Sequence, residues 1–272
     1  MSSGAAAFVG SVPANYDRYL GPVLFRGYAD DLAARLPVTE GMRVLEVACG
    51  TGIVTRRLAG RLAGRGRLLA TDLNEAMIAH AREHAAAGAA VEWQPADATS
   101  LPFPDRSFDA VVCQFGLMFF PDKAAGIREA HRVLRPGGLY LFNVWDAMER
   151  NEVLRITHET VASFFPDDPP SFYTVPCGYH DREQIRSLLE AAGFAGIAGE
   201  PVEKMGGSPS AAEAALGLID GNPIAGAITE RRPAALGEVR AAVAARLAER
   251  LGDKPMRCRL RALVFSARRR AA

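Results

Sequence analysis

Between residues 43 and 146 the chain alternates short apolar runs with amphipathic stretches, and this alternation restricts it to very few folds. "RVLEVA" (43–48), "GRLLATD" (66–72), "AVEWQPAD" (90–97), "SFDAVVCQFG" (107–116) and "LYLFNVWD" (139–146) have the length and β-branched or aromatic content of buried strands. The stretches between them carry apolar residues at helical spacing: 53–63, 74–88 with Asn74 as N-cap, and 122–138, which Pro136 and Gly137 are expected to stop. Strands joined by crossover helices pair in parallel with right-handed connections. Later in the chain, 195–205 and 256–269 alternate well enough to be a sixth and a seventh strand. The expected architecture is therefore α/β: a doubly wound, mostly parallel sheet of seven strands.

The remaining segments flank this core. Residues 14–36 predict one or two helices ahead of the first strand, so 1–40 read as an N-terminal helical cover and 41–150 as the ligand-binding core. Residues 151–272 supply the rest of the sheet and a helical lid over the substrate, in a single compact domain. The lid is expected from 150–165, the proline- and aromatic-rich "FFPDDPPSFYTVPCGYHD" (164–181), a helix over 181–194, and the mostly helical stretch before the last strand.

Charge and cysteine content narrow the functional classes. Thirty-two basic residues against thirty-one acidic ones give a formal net charge of +1, with no overall electrostatic case for a nucleic-acid or anionic-membrane partner. The basic end "RLRALVFSARRRAA" lacks interleaved aromatics and reads as a solvated tail. Four widely spaced cysteines suggest neither a zinc site nor a disulfide framework, so no metal is expected and a reducing cytoplasm fits. The first residues do not read as a cleaved signal peptide. The longest apolar run, 110–120, is about half of the roughly 20 residues that a membrane-spanning helix needs.

"ACGTG" (48–52) ends the first strand, where open parallel sheets bind ligands. Gly50 and Gly52 permit backbone angles closed to other residues and a close approach to the main chain. A phosphate loop needs lysine and then serine or threonine after its last glycine, but Ile53 and Val54 stand there. A dinucleotide fingerprint needs a third glycine where this chain has Thr55. The turn itself carries no basic residue, which suits a ligand with a carboxylate and an ammonium better than one with phosphates.

"VLEVACGTG", then "LLATD", "PADATSLPFPDRSFDAVV" and "HRVLRPGGLYLF" resemble, in order and spacing, the successive motifs of class I S-adenosylmethionine (SAM)-dependent methyltransferases. The chain is most similar to the small-molecule branch typified by the ubiquinone and menaquinone C-methyltransferases. That resemblance implies a Rossmann-like methyltransferase fold and transfer of a methyl group to a small apolar or aromatic acceptor, with S-adenosylhomocysteine as product. It further implies that Glu46 orients the methionyl ammonium and that the turn Ala48, Cys49, Gly50, Thr51 and Gly52 meets its carboxylate. Ala48 departs from the family, which has glycine there. Asp72 would accept both ribose hydroxyls, Leu73 and Met77 would pack on adenine, and Asp97 and Ala98 would read its edge. Gln114 and Phe115 would border the methionine part and face the transferred methyl, while Tyr16 would close over the site from the N-terminal segment.

No catalytic side chain follows from the pattern, because methyl transfer needs alignment and exclusion of water more than it needs a base. Asp146, beyond the fifth strand, and His180, in the lid, are the weak candidates for a base, whereas His131 and His158 read as structural. The amino-methylating signature of nucleic-acid enzymes is absent after the fourth strand. Phe164, Phe165, Phe172 and Tyr173 suggest an apolar acceptor pocket, and packing explains them equally well. Two alternatives stand beside this reading: an NAD-dependent oxidoreductase, which lacks a Tyr-x-x-x-Lys pair here, and a non-catalytic SAM-binding module acting through a partner. A monomer or homodimer is expected.

Overall fold

In the computed structural model, residues 10–86 and 90–271 are described. The seven strands are β1 (Met42–Val47), β2 (Gly66–Asp72), β3 (Val91–Pro95), β4 (Phe108–Gln114), β5 (Leu134–Trp145), β6 (Phe194–Ser208) and β7 (Met256–Arg269). They form one sheet in the order β3-β2-β1-β4-β5-β7-β6. β7 alone runs antiparallel, to both β5 and β6, while the pairs among β1 to β5 are parallel. Strand order therefore reverses between β1 and β4, which places a ligand crevice beyond the carboxyl ends of those two strands.

The N-terminal segment is one helical run: α1 (Val12–Asn15), a π-helical stretch Tyr16–Phe25 and α2 (Arg26–Arg35). Pro22 lies inside the π-helical stretch and has no amide to donate, and a wider turn accommodates a ring that an α-helix interior rejects. α3 (Ile53–Leu62) follows the glycine turn and buries Ile53, Val54, Leu58 and Leu62 on one face. α4 (Glu75–Glu83) begins as expected at Asn74, whose side chain accepts from the amides of Ala76 and Met77. The expected end of that helix includes Ala87 and Gly88, which lie outside the described residues.

One boundary is corrected. The helix expected over 122–138 is α5 (Lys123–Val133), and β5 begins at Leu134, ahead of the proline and glycine expected to stop the helix. Leu134 pairs with Phe108, and the register then shifts so that Ala110 faces Leu139. Pro136 disfavours helical angles at Arg135, so the chain leaves the helix early and Arg135 to Gly138 form the irregular start of the strand.

After β5 come α6 (Glu152–Ser163), the single turn α7 (Thr174–Cys177) and α8 (Arg182–Ala191). Between β6 and β7 lie α9 (Ala211–Asp220), α10 (Ile224–Arg231) and α11 (Ala235–Leu251). α9 packs on the N-terminal run at Gly217, where a Cβ would stand 2.7 Å from the backbone of Leu20 and Tyr19. Of the aromatics after α6, Tyr173 is buried with its hydroxyl on the Leu218 carbonyl of α9, and Arg232 lies over the rings of Phe164 and Phe165. Packing thus accounts for these three. Among the described residues no helix is long and apolar enough to cross a membrane.

Candidate active site

The turn after β1 departs sharply from extended backbone. Ala48, Gly50 and Gly52 have φ of 54°, 54° and 78°, all left-handed. A Cβ on Gly50 would meet nothing within 4 Å, so this glycine opens space beside the main chain. Asp72 at the end of β2 braces the turn: the Gly50 amide donates to Oδ2 (2.8 Å) and the Asn74 amide to Oδ1 (2.9 Å). Burial pushes the Asp72 carboxyl above its ordinary range, against the lowering effect of these backbone donors.

Glu46 is 1% exposed, and its Oε2 has no hydrogen-bond partner among the described residues. Burial, with the nearby Asp72 carboxylate adding to it, pushes the Glu46 carboxyl up to about 8, against the opposing polar groups of Thr55 and Arg56. Glu46 stands level with Val112 of β4 in the ladder, so Gln114, two residues on, shares its face of the sheet. Gln114 is in turn level with Asn143 of β5. Gln114 Oε1 and Asn143 Nδ2 are also buried without partners among the described residues. One face at the carboxyl ends of β1, β4 and β5 thus carries a row of unspent polar atoms, an arrangement that is costly unless a ligand completes it.

Phe115 follows β4 with φ 51° and is held by the Asn143 side chain, whose Oδ1 accepts from its amide (3.0 Å). Its ring stacks on Trp145 at 4.0 Å, and both rings meet the edge of Tyr28 at about 5.5 Å. Phe25 joins this cluster and stacks on Tyr16 at 4.9 Å, so an aromatic wall runs from the N-terminal run to the end of β5. Burial, with the Asp72 and Asp17 carboxylates adding, raises the Tyr16 hydroxyl far above its ordinary value.

The N-terminal run is also tied to the glycine turn by charge. Asp17 Oδ1 accepts from Arg56 Nη2 (2.8 Å) and from the Thr51 hydroxyl (3.4 Å), while Arg56 Nη1 donates to the Thr51 carbonyl (2.9 Å). Arg56 is therefore a cation beside a turn that carries none in sequence, and Asp17 neutralises it.

The other expected residues divide. Cys49 and Thr51 are buried within the turn, and Met77 is buried beneath α4, whereas Leu73 is 57% exposed after β2. Asp97 is exposed beyond β3, one oxygen engaged by the amide and hydroxyl of Thr99, with Ala98 half-buried beside it. Neither weak base candidate is free: Asp146 pairs with Arg261 at 2.9 Å, and His180 is exposed with Nδ1 on the Cys177 carbonyl (2.8 Å). His131 packs edge-on against Phe194, as a structural residue does. Sequence reasoning missed Asn143, Asp17, Arg56, Phe25 and Tyr28. A lone asparagine inside the apolar run "LYLFNVW" was the one signal that could have found the first of them.

A glycine turn at the switch point, an acid ending β2 and a buried acid without a phosphate-binding cation define a protein built for a nucleoside cofactor that carries an amino-acid group. Residues 44–138 match the family model described as a methyltransferase domain. The chain is 30% identical to the ubiquinone/menaquinone biosynthesis C-methyltransferase UbiE of Idiomarina loihiensis over 189 residues, 63% of this chain and 72% of that protein. It is 39% identical to the Hahella chejuensis UbiE over 171 residues, 58% of this chain and 68% of that one. Among solved structures, Haemonchus contortus phosphoethanolamine N-methyltransferase 2 in complex with SAM aligns with TM-score 0.60 at 20% identity, covering 95% of this chain and 56% of that one. The [4+2]-cyclase SpnF aligns with TM-score 0.58 at 24% identity, covering 91% and 82%. These two likenesses concern the fold.

The chain belongs to the class I SAM-dependent methyltransferases and is similar to the UbiE C-methyltransferases. It is an enzyme that transfers a methyl group from SAM, and the nicotinamide alternative is not favoured.

Proposed function

We propose that the acceptor is a small apolar or aromatic molecule, that the row Glu46, Gln114 and Asn143 faces the reacting groups, and that the N-terminal run with α9 to α11 covers them. The observation that carries this reading is the Phe115–Trp145 stack beside three buried, unspent polar atoms. An apolar wall with a few placed polar groups is the make-up of a small-molecule site. The printed name of the UbiE relatives, C-methyltransferases of ubiquinone and menaquinone biosynthesis, supports the same class.

Each residue then has a task. Glu46 Oε2 accepts from the methionyl ammonium, and the backbone of the 48–52 turn meets the carboxylate. Asp72 accepts from the ribose hydroxyls, and Leu73 and Met77 flank adenine, with Asp97 and Ala98 at its edge. Bound SAM would supply a methyl group on a sulfonium, a leaving group that would keep the carbon–sulfur electron pair as the methyl passes to the acceptor. Tyr16, Phe25 and Phe115 keep water from the path and fix the approach of the acceptor. No side chain is assigned as a base, and a proton lost by the acceptor leaves to bulk solvent after transfer, as product departs. Four free, buried cysteines suit a reducing cytoplasm, and the protein is proposed to act there as a monomer or homodimer, with no nucleic-acid partner.

The test is methyl transfer from labelled SAM to a panel of phenols, quinols and amines. Labelled product from the aromatic hydroxyl compounds supports the reading; transfer confined to amines overturns the acceptor class.

A further inference from the structure

Arg56 and Asp17 meet beside the glycine turn from two different elements. Arg56 lies in the first turn of α3, and its Nη1 donates to the Thr51 carbonyl at 2.9 Å. Its neighbour Arg57 turns away to pair with Asp30 at 2.9 Å, so of these adjacent arginines one reaches the turn. That cation does not stand open. Asp17 Oδ1, from the N-terminal run, accepts from Arg56 Nη2 at 2.8 Å and from the Thr51 hydroxyl at 3.4 Å. Both side chains are mostly buried, with 24% of Arg56 and 19% of Asp17 exposed. The second Asp17 oxygen faces His80 Nε2 of α4 at 3.8 Å, so the carboxylate is flanked on both sides and has no room to swing away from Arg56.

This contact is an anion-binding arrangement whose anion the chain supplies itself. A guanidinium and a hydroxyl beside the turn that follows the first strand of a parallel sheet stand where such sheets hold nucleotide phosphates. A carboxylate seated there occupies the guanidinium and sets a fixed negative charge against any phosphate that approaches. Asp72, on the Gly50 amide, adds a second carboxylate to the same turn. SAM, with a sulfonium, an ammonium and one carboxylate, is a net cation, whereas a nucleotide that carries phosphates is a net anion. The two share the nucleoside half, so the charge beside the turn is what can tell them apart, and repelling the wrong ligand counts as much as attracting the right one.

We propose that Asp17 is a specificity-determining residue for the cofactor: by occupying Arg56 it excludes phosphate-bearing nucleotides from a turn that would otherwise accept them. This rests on the reading that the 48–52 turn meets the cofactor. The N-terminal run thereby does two things with one carboxylate, since the bond that fastens it over the turn is also the bond that hides the cation.

The experiment is calorimetric titration of the full chain with S-adenosylhomocysteine, adenosine and ADP at neutral pH and low salt, without divalent metal. Adenosine and ADP differ only in the diphosphate, so the ratio of their affinities reads the charge beside the turn. The unmodified protein is expected to bind ADP at least about tenfold more weakly than adenosine. Asp17→Asn removes the opposing charge and leaves Arg56 unneutralised, and ADP is expected to gain about 10- to 100-fold relative to adenosine, the worth of one charge-assisted hydrogen bond. In Asp17→Asn/Arg56→Gln that gain is expected to disappear. ADP binding as tightly as adenosine in the unmodified protein overturns the proposal, and this comparison stands even if a variant fails to fold. It is equally overturned by an Asp17→Asn protein that binds S-adenosylhomocysteine but no more ADP than the unmodified chain, or by a gain that survives the loss of Arg56. Failure of the unmodified chain to bind S-adenosylhomocysteine instead marks failure of the underlying cofactor reading.

Discussion

Ala48 and Gly116 share one space: a Cβ on Gly116 would lie 2.5 Å from the Ala48 methyl and 2.8 Å from Cys113 Sγ. Ala48 holds the place where the family has glycine and keeps the left-handed backbone, φ 54°, which such a turn demands. The extra methyl is tolerated because the residue across from it, beyond β4, has no side chain. Overpacking of this kind costs about 1–3 kcal/mol, and left-handed alanine about 1–2 kcal/mol. Gly116→Ala is therefore expected to lower stability by about 1–3 kcal/mol in denaturant unfolding. Part of that loss returns in Ala48→Gly/Gly116→Ala, while the Cys113 contact keeps recovery incomplete. Additive losses in the double variant would show that the two positions are not coupled.

Glu46 makes cofactor affinity depend on pH. Its carboxyl is raised to about 8 in the folded protein, from about 4.3 in an unfolded chain. Between those values the folded state holds the extra proton, so this group's contribution to stability falls as pH rises through the window and levels off above about 8. An ammonium is best met by the ionised form, so SAM binding expels the proton below about 8, and affinity rises with pH up to that point. Glu46→Gln is expected to flatten both dependences, raise alkaline stability and weaken SAM binding by about 10- to 100-fold, the loss of one charge-assisted hydrogen bond. Calorimetry in buffers of different ionisation enthalpy reads the proton release; none at pH 7 would count against this role.

Asp17 fastens the N-terminal run to the turn through Arg56 and Thr51. Asp17→Asn keeps the size but removes the charge that neutralises Arg56. Faster amide exchange across Tyr16–Phe25 and a several-fold faster release of SAM in stopped-flow chase are expected. Unchanged exchange in this stretch would mean that packing on α9 alone holds it down.

Asp146 and His180 are expected to be dispensable for chemistry. His180 is exposed with one ring nitrogen on the Cys177 carbonyl, and Asp146 is spent on Arg261. His180→Ala should leave kcat within about twofold at neutral pH, whereas removal of a general base costs about 10²–10⁴-fold. Asp146→Asn should cost stability at the β5–β7 junction by about 1 kcal/mol with kcat retained. A hundredfold loss of kcat in either variant would assign a base after all.

Much of this was legible in the chain because the signals were local. "GRLLATD" is β2 to the residue, Asn74 caps α4, and the glycine pair adopts the angles that only its freedom makes cheap. The end of α5 was misread because leucine and arginine are good helix formers, and the pairing of Leu134 with Phe108 is a long-range fact. Asn143, Asp17 and Tyr28 were missed for the same reason. Each gains its meaning from a partner far away in sequence: the Phe115 amide, the Arg56 guanidinium and the Phe115–Trp145 stack. Ala48 looked like a small irregularity, and only the fold shows that Gly116 makes room for it.

Calorimetric titration of the full chain with SAM and with NAD, beside the same titrations of Asp72→Ala, tests the cofactor assignment most directly. One SAM per chain and no NAD are expected, with affinity about 100-fold weaker in the variant, which lacks a charged acceptor for the ribose hydroxyls and the brace on Gly50. NAD binding in the absence of SAM binding would contradict it.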